Sequence, residues 1–337
     1  MATDITKHKA ASFSNEGWSQ LTQNTVFEFR NLTRRYALFH IVFLLLFLSE
    51  LFALLLFLPF LAKSLLLAAL VAATFLTAFT YFVLRFYFQT KKPEQFLSLR
   101  EEFIKKCSHG VVSSSNSELS QGVLRATYDL IRSLEGQENQ YYRVPSVLEA
   151  LAPLVEKFSV WCHFGDVQMM KELLHTYCIR AQLQWIKAHP TNLDLHVSIA
   201  NSYISLYKIY QAPAETYAFI VKEFNTPEIQ HKFQKNALCA IEELKIILHY
   251  KPQDLWALSH LGAVYHDLDR KEDERKIYEA LLQIAPQENG ARFRLGLLYF
   301  QLGLMAQGLK IYEELSKMHD PKAKELIEYY DLFHSQT

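Results

Sequence analysis

The sequence predicts an all-α chain: a two-helix transmembrane hairpin, a helical adaptor and an α-solenoid of stacked helix pairs. Three observations carry this. Glycine is scarce, 10 residues in 337, while Leu, Ala, Glu and Lys dominate much of the chain, a composition that favours helix. Two long apolar runs lie close together near the start. The last third repeats with a period of 34 residues: Leu261-Gly262 recurs as Leu295-Gly296, Tyr265 as Tyr299 and Tyr278 as Tyr312. A fixed period of this size marks an array whose units bury their apolar faces only by stacking on each other.

Composition narrows the function. Lys plus Arg equals Asp plus Glu at 35 each, so the formal net charge is zero and the basic face needed for nucleic acid is not indicated. Cys107, Cys162, Cys178 and Cys239 form no CxxC pair, which points to a reducing compartment. Cys162, His163, His175 and Cys178 offer zinc-type ligands if Cys162 approaches from an antiparallel helix, but their spacing fits no usual finger. No metal or cofactor is expected. No phosphate-cradling glycine loop, HExxH or GxSxG is present, so no enzyme is predicted. His266-Asp267 and Asp269 read as a solvated inter-helix turn.

Residues 1–35 form a polar segment, and residues 36–90 form the hairpin. Its runs, Ala37 to Phe60 and Leu65 to Phe88, would each span roughly 36 Å as helix, enough to cross a bilayer. The link Leu61-Ala62-Lys63-Ser64 is short, so the two helices are antiparallel. Arg30, Arg34, Arg35, Arg85, Lys91 and Lys92 flank the outer ends, and the link holds only Lys63. The positive-inside rule then puts both termini in the cytoplasm. No apolar segment precedes the runs, so a cleaved signal is not expected.

Ala68-Ala72, Ala69-Ala73 and Thr74-Ala78 are small residues four apart. They suit close helix approach, within the hairpin or in a homo-oligomer, or else simply face lipid. Glu50, the intramembrane polar residue, should face Ala72 to Thr74 and either be protonated or bond Thr74 or a second protomer.

Residues 91–150 read as a helical stalk or adaptor. Its Ser-rich hinge is centred on Ser113-Ser114-Ser115-Asn116-Ser117. Residues 151–322 form the repeat array, with an insertion at about 209–229 whose middle, Thr216 to Phe224, suits a short helix. Residues 323–337 cap the open end. The turn signal Lys251-Pro252-Gln253-Asp254-Leu255 has an upstream counterpart, His189-Pro190-Thr191-Asn192-Leu193. Ala200 and Tyr203 follow it as the marks of another first helix. A further degenerate pair ends at Pro190, with a first helix near Lys157 to Val167 and Cys178, Trp185 and Ile186 in its second.

The segment Leu255 to Glu288 resembles a tetratricopeptide repeat. Leu261, Gly262, Tyr265, Tyr278, Leu282 and Pro286 stand at that family's spacings, and Leu295, Gly296, Tyr299 and Tyr312 repeat them. Glu274 and Gly308 depart from the family's preference for alanine in the second helix.

The resemblance implies a concave groove lined by first helices. Asp194, Val197, Asn201 and Ser205 would come from one repeat, Trp256, Ser259, His260, Ala263 and Asp267 from the next, and Phe293, Arg294, Leu297 and Gln301 from the last. Trp256, Phe293 and Arg294 are the candidate anchors. Asn201 and Arg294 match two positions of the family's carboxylate clamp, whereas Val197, His260 and Gly290 do not match the others, so chaperone-tail binding is not expected.

These readings converge on a membrane-anchored scaffold or adaptor that binds a protein or peptide. Two alternatives stay open. The hairpin also resembles the bilobed segment of inclusion-membrane proteins exported by intracellular bacteria, which would insert in a host-derived membrane. A transporter subunit using Glu50 is the other.

Overall fold

The computed structural model describes residues 15–61, 65–110, 116–139, 141–142, 146–211 and 225–334. The helix expected at Thr216 to Phe224, Ser113 to Ser115 of the hinge and the turn 62–64 lie outside them, while Asn116 and Ser117, also expected in the hinge, begin a helix. Every regular element described is helical. The chain divides into two compact units, residues 1–178 and 179–337.

In the first unit, α1 (Asn15–Leu61) and α2 (Leu65–Gly110) pair along the hairpin, and α3 (Asn116–Ser133) packs on both. α4 (Ala152–Ala188) follows two short 3-10 turns, Gln137–Asn139 and Ser146–Leu151. The two apolar runs are therefore the inner halves of longer helices. The polar start is helical from Asn15 onward.

Its outer half carries Trp18, Leu21, Thr22, Thr25, Phe29, Leu32, Thr33 and Tyr36 at helical three-four spacing. Three of these core-facing positions are threonines, which disguise the stripe as polar. Thr25 and Thr33 donate their hydroxyls to the carbonyls of Leu21 and Phe29, at 2.9 and 3.1 Å. Those bonds satisfy the hydroxyls and let them sit inside. Phe29 packs with Phe96 and Phe103 of α2, Leu130 of α3, Leu134 in the turn after it, and Met170 and Leu174 of α4. Large apolar side chains of the inner halves, among them Phe52, Phe75 and Phe86, stay exposed.

In the second unit, α5 (Leu193–Tyr210) pairs with α6 (Pro227–Tyr250), α7 (Leu255–Asp267) with α8 (Lys271–Ile284) and α9 (Asn289–Gln301) with α10 (Met305–Lys317). Successive pairs join through α6 with α7 and α8 with α9. α11 (Lys322–His334) closes on α9 and α10. The turn signals resolve into helix caps: Asn192 accepts from the Asp194 and Leu195 amides, and Asp254 from Ala257 at 3.0 Å.

Asp269, Gly303 and His319 are left-handed, at φ 54°, 76° and 55°. The amide after each returns to the carbonyl five residues back: Arg270 to Tyr265, Leu304 to Tyr299 and Asp320 to Leu315. This closing motif gives α7, α9 and α10 the same stop.

The degenerate repeat before Pro190 does not form. Residues 157–167 and Cys178, Trp185 and Ile186 all belong to the one helix α4. Its only interior glycine, Gly165, is tolerated, since a lone glycine costs a helix only about 1 kcal/mol. Ile179, Leu183 and Ile186 pack against Ile199, Tyr203 and Leu206 of α5.

Candidate functional site

The first helices of the second unit lie side by side. Tyr207 of α5 donates its hydroxyl to Asp267 of α7 at 2.9 Å, and Arg294 of α9 bonds the His266 ring of α7. Along this surface Asn201, Ser205, Ser259 and Ala263 are exposed. Trp256 is half-buried against the core shared by α5, α6 and α7. His260 stacks on it with ring centroids 4.4 Å apart and bonds its carbonyl at 2.9 Å. Phe293 and Leu297 are half-buried against the cluster that α9 forms with α10 and α11.

Arg294 is committed inside the array. Its Nε donates to Glu274 Oε1 at 2.6 Å and its Nη2 to Oε2 at 3.2 Å. Asp267 likewise takes bonds from Tyr207 and Gln211. Neither is a free charge facing a ligand.

The repeat-defining residues occupy contacts that explain the period. A Cβ on Gly262 would lie 3.2 Å from the Tyr278 ring, so glycine lets α7 approach α8. A Cβ on Gly296 would meet Leu326 of α11 at 2.7 Å. Leu261, Tyr265 and Leu295 are buried, as is Ala200, while Tyr203, Tyr278, Tyr299 and Tyr312 are half-buried. Pro286 is exposed in the turn before α9, where its carbonyl accepts from Arg292.

In the first unit, a cavity of about 650 Å³ lies between the hairpin and α4. Tyr36, His40 and Phe47 of α1, Tyr81 and Arg85 of α2, and Trp161 of α4 line it. Lys92 pairs with Asp166 at its edge, at 2.6 Å. Burial holds the Asp166 carboxyl above its ordinary range, against the opposing pull of Lys92. Sequence reading passed over α4 here, although Leu154, Phe158 and Trp161, at intervals of four and three, mark an apolar stripe that Leu151 extends into the turn before it.

Cys162 and Cys178 cannot share a metal, because both lie on α4. Sixteen residues of helix separate them by about 24 Å, and the antiparallel approach does not occur. Burial raises their thiols to about 11 and about 12, which disfavours the thiolate. His163 stacks on Tyr141 at 3.8 Å and bonds the Tyr142 hydroxyl at 3.0 Å.

Glu50 Oε1 accepts from Thr77 Oγ1 at 2.8 Å. The intrahairpin partner is thus Thr77, about one turn from the expected Thr74. Thr74 instead bonds the Leu70 carbonyl at 3.0 Å. Glu50 Oε2 is buried without a hydrogen-bond partner.

No family model and no curated protein matches the chain. Among solved structures it is similar to one titled "Crystal structure of MamA", at 21% identity over 47% of this chain and 91% of that one, with a TM-score of 0.25. A second, titled "Crystal structure of MamA protein", is similar at 20% identity over 52% and 93%, with a TM-score of 0.24. The helix-pair architecture described above stands on the packing itself.

Proposed function

We propose that the chain is a membrane-anchored interaction scaffold. The second unit binds a protein or peptide along α5, α7 and α9, and the hairpin holds it at a membrane with both termini on the cytoplasmic side. The observation that carries this reading is the row of first helices, cross-linked by Tyr207–Asp267 and Arg294–His266 while Asn201, Ser259 and Ala263 stay exposed. A rigid surface with small, uncommitted side chains suits an extended ligand.

The anchor is supported by α1 and α2, which are long and apolar enough to cross a membrane, with those apolar windows unburied. A non-enzymatic role fits the same residues, since Asp267 and His266 are spent on structural bonds.

The test is affinity capture with the full chain in detergent. Asn201→Arg and Ser259→Arg should each lose the partner that the wild type retains, while Lys324→Glu on α11 should keep it. An unchanged partner set in the first two variants would overturn the surface assignment. Protease protection in sealed vesicles tests the anchor: both termini should be cut from one side.

A further inference from the structure

We propose that the cavity between the hairpin and α4 binds one anionic phospholipid, with its phosphate on Arg85 and an acyl chain along Leu44, Phe47 and Ala78. The inference rests on the membrane reading of the hairpin.

Charge bookkeeping at the cavity points to an anion. Asp166 and Lys92 cancel through their 2.6 Å contact. His40 is occupied by the Tyr81 hydroxyl at 3.2 Å. Arg85 lines the same wall, and no hydrogen bond or ion pair engages it among the described residues. One uncompensated cation therefore remains beside an apolar space.

Depth points to an amphiphile. Ala78 lies seven residues before Arg85 on α2, about 10 Å further into the apolar run. The charged groups thus gather at one end of the cavity, and Leu44, Phe47 and Ala78 line the other, together with Thr77, whose hydroxyl is donated to Glu50. A phosphate with an alkyl tail matches both ends, whereas a free anion leaves the apolar wall unfilled.

The flank of the cavity has the character of a membrane interface. Leu154 and Trp161 are 67 and 57% exposed on one stripe of α4, Leu151 at the end of the turn before it is 48% exposed, and Trp161 also lines the cavity. An apolar stripe ending in tryptophan beside a spanning hairpin suits the headgroup level of a bilayer.

Trp161 supplies the readout. The full chain carrying Trp18→Phe, Trp185→Phe and Trp256→Phe is reconstituted in phosphatidylcholine vesicles. These are doped at equal mole fraction with acyl-brominated phosphatidylglycerol or acyl-brominated phosphatidylcholine. The brominated anionic lipid should quench Trp161 at about fivefold lower mole fraction, the scale of one contact between a cation and an anionic lipid. Arg85→Gln should remove that preference, and Ala78→Phe, which fills the apolar end, should remove it independently. Equal quenching by the two lipids, or a preference that survives Arg85→Gln, overturns the proposal while leaving the anchor intact. Loss of the preference on adding inorganic phosphate would make this a free-phosphate site and also overturn it. Absence of quenching by either lipid would remove the membrane reading itself.

Discussion

Arg294 of α9 grips the carboxylate of Glu274 of α8 through two nitrogens, at 2.6 and 3.2 Å, and the Glu274 side chain is only 1% exposed. The carboxylate stands where the tetratricopeptide pattern prefers alanine. The fork-to-fork geometry satisfies both oxygens, and the pair joins two successive repeats.

This pair predicts a strongly non-additive cycle. Arg294→Ala leaves the buried carboxylate with only the His266 ring, 3.6 Å away, and should cost about 3–5 kcal/mol while that ring is neutral. Glu274→Ala leaves a cation that can turn to solvent and should cost less. The double variant should recover most of the loss, because it restores the apolar contact of an ordinary repeat. Denaturant unfolding of the second unit measures all three. Additive losses would show that the two side chains do not act as a pair.

Gly308 and Phe300 predict a second cycle. A Cβ on Gly308 would fall within the space of the Phe300 ring, which is fully buried. Alanine normally favours a helix over glycine by about 1 kcal/mol. Here overpacking should outweigh that gain, making Gly308→Ala destabilising by about 1–3 kcal/mol. Phe300→Leu frees the space, so Gly308→Ala should become neutral or stabilising in that background. A stabilising effect in the wild-type background would show that the ring can move aside.

Both cycles show where sequence reading ends. The period was legible because Gly262 and Gly296 both sit against the second helix of their own pair, beside Ile277 and Ile311, which are themselves 34 residues apart. Glu274 and Gly308 registered only as departures. Their compensations, Arg294 and Phe300, sit 20 and 8 residues away and depend on which helix faces which. The outer half of α1 was hidden because Thr22, Thr25 and Thr33 are polar by type yet buried. In α4 the fading repeat pattern suggested a break, but no proline or paired glycine stands between Pro153 and Pro190 to make one. The groove anchors divided for a related reason: position on a first helix follows from the period, while the bonds that occupy Arg294 and Asp267 follow from neighbouring repeats.

Glu50 and Thr77 predict an effect confined to the hairpin. Thr77→Val removes the 2.8 Å bond and leaves the carboxyl with no intrahairpin partner. The cost should be about 0.6 to 1.7 kcal/mol, the range of such bonds between membrane helices. Glu50→Gln keeps an acceptor for Thr77 and should assemble normally, as judged by size-exclusion behaviour and thermal unfolding in detergent. Proton flux into vesicles carrying the full chain that is absent, or unchanged in Glu50→Gln, would remove the transporter reading; flux lost in Glu50→Gln without loss of assembly would support it.

Acid should act on the two units in opposite directions. His163 and His175 of the first unit are buried. Desolvation first, then nearby cations, holds them at about 3 and about 4, and the Nδ1 of each lacks a hydrogen-bond partner. The unfolded chain protonates these rings near 6.5. It therefore binds more protons than the folded state between that value and the folded ones. Their contribution is present above about pH 6.5 and is lost as pH falls toward 4, on the order of 1–2 kcal/mol per ring. In the second unit, burial lowers His196. Glu243 at 2.6 Å and the Pro190 carbonyl at 2.9 Å each face a ring nitrogen and raise it further. Its contribution is present below about pH 6.5 and fades as pH rises through its folded value. Thermal unfolding of the full chain in detergent at about pH 7.5 and about pH 5 should show the first unit weakening on acidification. A His163→Leu, His175→Leu variant should weaken less than the wild type. His196→Leu should lose the acid-side support of the second unit. Equal acid sensitivity of the wild type and the paired histidine variant would show that these rings do not set it.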